Sequence, residues 1–310
     1  MNRTFKMSFL GLILISCIAL SGCSTSLEAD PDTYTFVAIH FEAGYAGKIE
    51  NDLPIDLPAD YLAMDFGGQK YLFETAVRLV QKADDHGFHL TLMFNPQWAE
   101  YILLDESRTD TVRQWQERGH EIAFHHHSYI HPDWNGYSND PDAASDPLYL
   151  GDVDTGLEFL RNVAAPSSVT TAMVGGLPID LPLSFDSTTD DLIFTGGNQY
   201  DSFELYGELR SLVPTKVVKN NGGTVVRVAH RQLTILSDEI PIAEALETFK
   251  AEYASINNDD IYGIVFHCFE YREAETDFDE WFEFIESNGD RVRTVSEVVS
   301  DYNYDIPVVQ

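Results

Sequence analysis

Basic residues are scarce in this sequence. Lysine and arginine together number 19 against 51 acidic residues, for a formal net charge of −32. A chain so acidic is not built to bind nucleic acid or anionic lipid headgroups, both of which are polyanions. The acidity is spread along the chain rather than gathered in a tail, and reads as a solvated surface suited to a salty medium. Cysteine is nearly absent, at three in 310 residues. There is no internal repeat and no low-complexity segment. Long apolar runs are missing too, apart from one at 7–20, and that one is short of the about 20 residues a membrane span needs. What remains is enough chain for one large domain, or at most two, with ample core.

The apolar run follows Arg3 and Lys6, a positive start of the kind that precedes a signal h-region. It ends in Leu20-Ser21-Gly22-Cys23, which resembles a bacterial lipoprotein lipobox. The resemblance implies a signal peptide at 1–22, cleavage before Cys23 and lipidation of that thiol. A tether at 23–33 then leaves the protein in the cell envelope, lipid-anchored to a membrane outside the cytoplasm, on the periplasmic side or the cell surface. Ser24 after the cysteine favours the outer membrane where there are two. Cys17 leaves with the signal, so the mature domain keeps only Cys268 and no internal disulfide is possible. Cys268 reads as packed core in an apolar strand.

Strand and helix patterns alternate from residue 34 onward. Strands are expected at 34–40, 88–94, from Glu121, and at 168–174, 191–195, 224–229, 261–267 and 292–295. Helical spacing marks 71–85, a stretch running to Glu117, 148–163, 241–253, 278–286 and 296–302. The stretch 177–220 is too irregular to place. Alternation over 34–303 predicts an α/β domain with a parallel sheet whose apolar strands are buried on both faces. Polar residues cluster at strand ends: His40 and Glu42 after the first, His125 to His131 after the third, His267 at a late one. A barrel brings such ends to one mouth, where an open sheet spreads them along an edge.

The densest signal is Arg118 to Tyr137. Glu121-Ile122-Ala123-Phe124 reads as a short buried strand, with His125, His126, His127, His131 and Trp134 beyond its end. Five of the ten histidines fall between His120 and His131. His127 and His131 are four apart, so one helical turn or tight loop can aim both rings at one point, as a metal site requires. Crowded imidazoles without a ligand would repel on protonation and gain little in packing.

Arg118-Gly119-His120-Glu121-Ile122, followed by His127-Ser128-Tyr129-Ile130-His131-Pro132, resembles the polysaccharide deacetylase family, the NodB-like carbohydrate esterases. The stretch from His86 to Phe94 is similar to that family's second strand, and Gly263-Ile264-Val265-Phe266-His267 to its late strand ending in a catalytic histidine. The resemblance covers residues 35–302 and is weak over 164–223. It implies a distorted (β/α) barrel of about seven strands, with His127 and His131 binding a divalent metal ion, expected to be zinc.

Three departures accompany the resemblance. The family's opening Thr-Phe-Asp-Asp-Gly stands here as His40-Phe41-Glu42-Ala43-Gly44. Aligned on the glycine, Glu42 takes the base position and Ala43 the place of a ligand; in another register Glu42 is the ligand and His40 the base. Strand alternation puts His40 and Glu42 on one face, and two histidines with one carboxylate make an open metal site, which favours Glu42 as ligand. Secondly, counting from Gly-His-Glu-Ile lands on His125, whereas counting back from His-Pro lands on His127, so two residues are extra. His125 or His126 then either supports the metal ligands from behind or faces the substrate. Thirdly, the arginine-proline motif that orients the base is absent; Thr171-Ala172-Met173-Val174-Gly175-Gly176 occupies its place.

The chemistry implied is removal of acetyl groups from an acetylated polysaccharide. Glu42, His127 and His131 hold the ion, His40 serves as base and His267 as acid. His125, Trp134 and Tyr137 face the substrate. His120 is structural, and His230 has no recognisable context. Two rivals stay open: an inactive carbohydrate-binding lipoprotein on the same fold, and a metal hydrolase of a non-sugar amide or ester. For the anchor, Cys23→Ala is expected to abolish labelling by radioactive palmitate and move the protein from the membrane to the soluble fraction. Labelling that survives the substitution would remove the lipobox reading.

Overall fold

The computed structural model describes residues 34–41, 66–129, 131, 134–175, 191–195, 214–218, 224–233, 240–257, 260–302 and 305–309. Its centre is β1 (Tyr34–Phe41), a strand with all eight residues buried. On one edge β1 runs parallel to β9 (Ile261–His267), in register from Tyr34↔Ile261 to His40↔His267. On the other it pairs first with β10 (Val292–Arg293) and then with β2 (Thr91–Phe94), both parallel. The sheet continues through β3 (Glu121–His127), β4 (Thr171–Gly175), β5 (Asp191–Thr195) and β7 (Thr224–Val228), each parallel to its neighbour. Beyond β7, β6 (Thr215–Val218) runs antiparallel, and β11 (Val308–Val309) lies parallel to β6. The two-residue β8 (Arg231–Gln232) ends the other edge, beside β9. This is a curled parallel sheet, a distorted (β/α) barrel as the strand ends implied.

Eight α-helices are present among the described residues: α1 (Gly67–Asp85), α2 (Pro96–Leu103), α3 (Glu106–Glu117), α4 (Val153–Ala164), α5 (Ile242–Tyr253), α6 (Cys268–Glu273), α7 (Glu275–Ser287) and α8 (Val295–Asp301). Alternation divides each strand between two cores. Val37, Ile39 and Phe41 of β1 face outward, in one core with helix residues such as Leu72, Leu79, Leu157, Phe249 and Trp281. Tyr34, Phe36 and Ala38 face inward with Met93, Ala123, Val226 and Val265. The inner core is closed at the strands' N-terminal ends by Val295 and Val298 of α8 and by Tyr302 just beyond it. There the Glu121 carboxylate accepts from the Thr91 and Thr171 hydroxyls at 2.9 and 2.5 Å, and burial pushes its pKa up. A capping box between Thr294 and Glu297 starts α8.

Several boundaries differ from the sequence expectations. The helical stretch ending at Glu117 is two helices, because Asp105 accepts from Ser107 N at 2.8 Å and so caps a second start. Cys268 is not in a strand: it is the first residue of α6, buried, with its thiol against the Leu72 carbonyl. The third strand runs on to His127, so His125 and His126 belong to it rather than to a loop. The short strands β6, β8 and β11 had no expectation. The expected boundaries at 22 and 33 lie outside the described residues. No helix among the described residues is long and apolar enough to cross a membrane.

One glycine sets the fit of the two central strands. Gly263 stands opposite Phe36, and a Cβ there would lie 2.0 Å from the Phe36 ring. Both residues are held in buried strands, so the ring has nowhere simple to go. Gly263→Ala is expected to destabilise the fold by about 1–3 kcal/mol. Phe36→Leu in the same chain should recover part of that loss, a coupling readable from urea denaturation of the double-mutant cycle. Strict additivity of the two substitutions would count against the interlock.

Candidate active site

The two-residue period of the strands carries the inner face up to the barrel mouth. On β3, Phe124 and His126 turn outward, their rings parallel within 5° and 5.9 Å apart. Ala123, His125 and His127 alternate with them and face inward. The same alternation brings His40 inward above Phe36 and Ala38 on β1, and His267 inward above Val265 on β9. His230 continues the inward row of Val226 and Val228 on β7. Four strands therefore deliver imidazoles to one end.

Those rings meet. His40 lies 4.0 Å from His125 and 5.3 Å from His267 between ring centroids. His125 Nε2 is 2.7 Å from His127 Nε2, and His127 Nδ1 is 2.8 Å from His131 Nδ1. His131 reaches this position through a tight turn, its amide donating to the Ser128 carbonyl at 2.8 Å. His230 is near enough that His125 helps lower its pKa, although burial is the larger cause; together they bring it down to about 4. His40, His125 and His267 are almost wholly buried, and His131 is half-buried.

His267 is held by its own turn of chain. The Glu270 carboxylate accepts from the His267 backbone N–H at 2.6 Å and lies 3.0 Å from Nδ1. This capping box starts α6 and fixes the ring, which also stacks on Phe269 at 4.9 Å and 17°. With Nδ1–H donating to the carboxylate, Nε2 is the nitrogen left for chemistry. The orienting part of Glu270 went unassigned in the sequence, though its i+3 spacing from His267 was the available signal.

Glu42 and Ala43 lie outside the described residues. Trp134 and Tyr137 are only 5% and 6% exposed. The Trp134 indole N–H donates to the Tyr137 carbonyl at 2.7 Å and the ring meets Tyr129 edge-on. Tyr137 packs on Gly156 of α4. Both rings brace the loop that carries His131 from within.

The donor set suits a divalent ion such as zinc, which takes neutral imidazole nitrogens. Among the described residues no three His, Cys, Asp or Glu side chains converge on one point. The reason is visible at His127, whose two nitrogens face different neighbours. The separations of 2.7 and 2.8 Å are hydrogen-bond lengths. Two nitrogens on a tetrahedral zinc stand about 3.3 Å apart, given bonds of about 2.0 Å.

No family model matches the chain, and no curated protein matches it. Solved structures do. A protein assigned to the polysaccharide deacetylases from Mycobacterium smegmatis superposes with a TM-score of 0.55 at 15% identity, covering 92% of this chain and 96% of that one. Puue allantoinase gives 0.55 at 13%, over 90% and 94%. A 4-alpha-glucanotransferase from Thermococcus litoralis gives 0.56 at 13%, over 90% of this chain and 42% of that one. At these identities the likeness establishes the fold, in agreement with the resemblance read from the histidine motifs. Three different activities are named on that fold, so activity must be argued from the site.

His120 lies apart from the cluster, at the start of β3. Its Nδ1 accepts from Leu90 N–H at 3.0 Å, so Nε2 carries the proton and donates to Asp84 at 3.1 Å. Burial lowers its pKa, with the bond to Asp84 opposing. The unfolded chain therefore takes up this proton first, near pH 6.5, and stability is lost as pH falls through that value. His120→Gln is expected to cost about 1–3 kcal/mol at pH 7, from the orphaned Leu90 N–H and Asp84. It should also flatten the decline of the thermal midpoint between pH 7 and 5. Parallel pH profiles for the two proteins would contradict this account.

Proposed function

We propose that this chain is a metal-dependent hydrolase that removes acetyl groups from a cell-envelope or extracellular polysaccharide. The observation that carries the reading is the meeting of His40, His125, His127, His131 and His267 at one end of a deacetylase-like barrel. Carbohydrate binding alone needs neither packed imidazoles nor a histidine clamped by a buried carboxylate.

His127 is the centre of the proposed cation site, with His131 and Glu42 as the partners the motif resemblance implies. A divalent ion bound there supplies Lewis acidity to the acetyl carbonyl and to a water molecule. His40, buried at the end of β1, would accept the proton released when water attacks. His267, when protonated on both ring nitrogens, would give the Nε2 proton to the departing amine or alcohol, with the Glu270 carboxylate at Nδ1 steadying that charge. Water thus adds its hydroxyl to the acetyl carbon and its hydrogen to the leaving group. His125, between His40 and His127, lines the same space. The lipobox-like Cys23 would keep the enzyme beside its polymer in the envelope.

A second reading, hydrolysis of a non-sugar amide, is favoured by the same fold in an allantoinase. Purified protein loaded with zinc should release acetate from acetylated chito-oligosaccharides or acetylxylan. His267→Ala should lower kcat by about 10²–10⁴-fold while leaving zinc content unchanged. Turnover of allantoin without acetate release selects the second reading, and bound oligosaccharide without turnover of either substrate sinks both.

A further inference from the structure

The first turn of α1 buries polar groups that the fold does not satisfy. We propose that Gln69 and the backbone N–H groups beside it form a subsite for the acetamido group of a sugar unit next to the one at the histidines. That the ligand is a sugar rests on the deacetylase reading; the unsatisfied amide does not.

The opening N–H groups of a helix are ordinarily met by a Ser, Thr, Asp or Asn side chain at the N-cap. Here the N-cap is Phe66, at a φ of 54°, which has no side-chain acceptor, and the first turn carries no acid. The first bond of the helix runs from the Lys70 N–H to the Phe66 carbonyl at 2.9 Å. The N–H groups of Gly67, Gly68 and Gln69 come before it, and all three residues are buried. Gln69 stands at the third helical position, from which a glutamine can reach back to the N-cap N–H in a capping box. It makes no such bond. Gln69 is fully buried, and neither its Oε1 nor its Nε2 has a hydrogen-bond partner among the described residues. Buried amides are ordinarily satisfied on both atoms, so one satisfied on neither marks a place for a ligand.

Helical side chains lean towards the N-terminus, which aims Gln69 back over the uncapped N–H groups rather than down into the core. It shares the buried face of α1 with Leu72 and Ala76. The Leu72 carbonyl accepts from the Cys268 thiol at 3.6 Å, and Cys268 directly follows His267. Three residues at a helical rise of about 1.5 Å place Gln69 about 4.5 Å beyond that contact. The chain enters α1 from the His40 end of β1 and leaves it for the start of β2, so the first turn is the mouth end of the helix. The subsite therefore flanks the histidine row beside the start of α6, without being part of it.

The unsatisfied groups select the ligand. Three backbone N–H groups and Nε2 offer protons, and Oε1 asks for one. A secondary amide answers both, its carbonyl oxygen accepting from the N–H groups and its own N–H donating to Oε1. A carboxylate suits the positive end of a helix but leaves Oε1 without a donor. A polymer of carboxylates is also repelled by a chain of net charge −32. A hydroxyl carries both functions on one atom and so meets fewer of these groups.

Isothermal titration reads the subsite, in the His267→Ala background where turnover is slowed. The ligands are tetra-N-acetylchitotetraose, cellotetraose, which shares its backbone but lacks the acetamido groups, and tetragalacturonate. Adding Gln69→Met keeps the length of the side chain and removes both polar atoms. It should weaken the N-acetylated oligomer by about 10–100-fold, as loss of one or two buried hydrogen bonds does. Cellotetraose binding should not change. The same substitution should raise the thermal midpoint of the unliganded protein by about 2–4 °C, because a buried unsatisfied amide is removed. A glutamine that served only the fold would instead lower the midpoint when replaced. Equal affinity for the N-acetylated oligomer with and without Gln69→Met, a lowered midpoint, or tighter binding of tetragalacturonate overturns the subsite. So does a parent protein that does not bind the N-acetylated oligomer, even where the wild type releases acetate and the hydrolase reading stands. Binding that Gln69→Met weakens, with no acetate released by the wild type, keeps the subsite and removes the hydrolase reading.

Discussion

The pairing of β1 with β9 governs what the rest of the molecule can do. It runs without interruption from Tyr34↔Ile261 to His40↔His267. A slip of one residue would turn every inward side chain outward, exchanging His40 for Phe41 at the mouth. Burial on both faces makes such a slip costly. The stronger lock is the shape complement of Phe36 and Gly263, because only a residue without a Cβ leaves room for that ring. Four residues further on, the same register puts His40 beside His267. A packing constraint in the lower barrel thereby sets the distance between two groups at the top.

The barrel has two chemically distinct ends, and the histidine motif supplies both. His120 and Glu121 tie β3 to α1, β2, β4 and α8 through hydrogen bonds to Asp84, Leu90, Thr91, Thr171 and the Ser296 backbone N–H. His125 and His127, on the same strand, serve the other end. A buried carboxylate with two hydroxyl donors is tolerable because its lone pairs are met, even though burial still raises its pKa. The histidines at the mouth meet each other instead. Neutral rings can share protons along such a row, but a second positive charge among them would be costly. A divalent ion suits that row because it asks for lone pairs rather than protons. The net charge of −32 adds a field that draws cations towards the surface.

Much of this was legible in the sequence because the signals are local. Period-two apolar runs marked β1, β2, β3, β4, β7 and β9, and the histidine motifs fixed which strand ends mattered. The misreadings were of a different kind. His125-His126-His127 looked like a loop because three successive polar rings do not resemble a buried strand. Only the pairing with β4 makes that conformation favourable, and a partner so distant in the chain is not encoded within three residues. The split of α2 from α3 turns on one side-chain cap at Asp105. Cys268 looked like strand because the turn into α6 is set by Glu270 reaching back to the His267 amide. His230 carried no motif at all; its inward direction follows from Val226 and Val228 once the strand is known.

The fold is shared with proteins named for different activities, so the scaffold cannot be what selects a reaction. What varies is where charge and protons are placed at the mouth. In this chain His267 and its carboxylate partner come from one turn, the Glu270 carboxylate meeting both the backbone N–H and the ring of His267. The other rings are placed separately, His40 by the register of β1 on β9, and His125 and His127 by the alternation of β3 against β4. A register slip in either pairing would turn these rings away from one another, so it is the locked strands that decide which groups meet at the mouth.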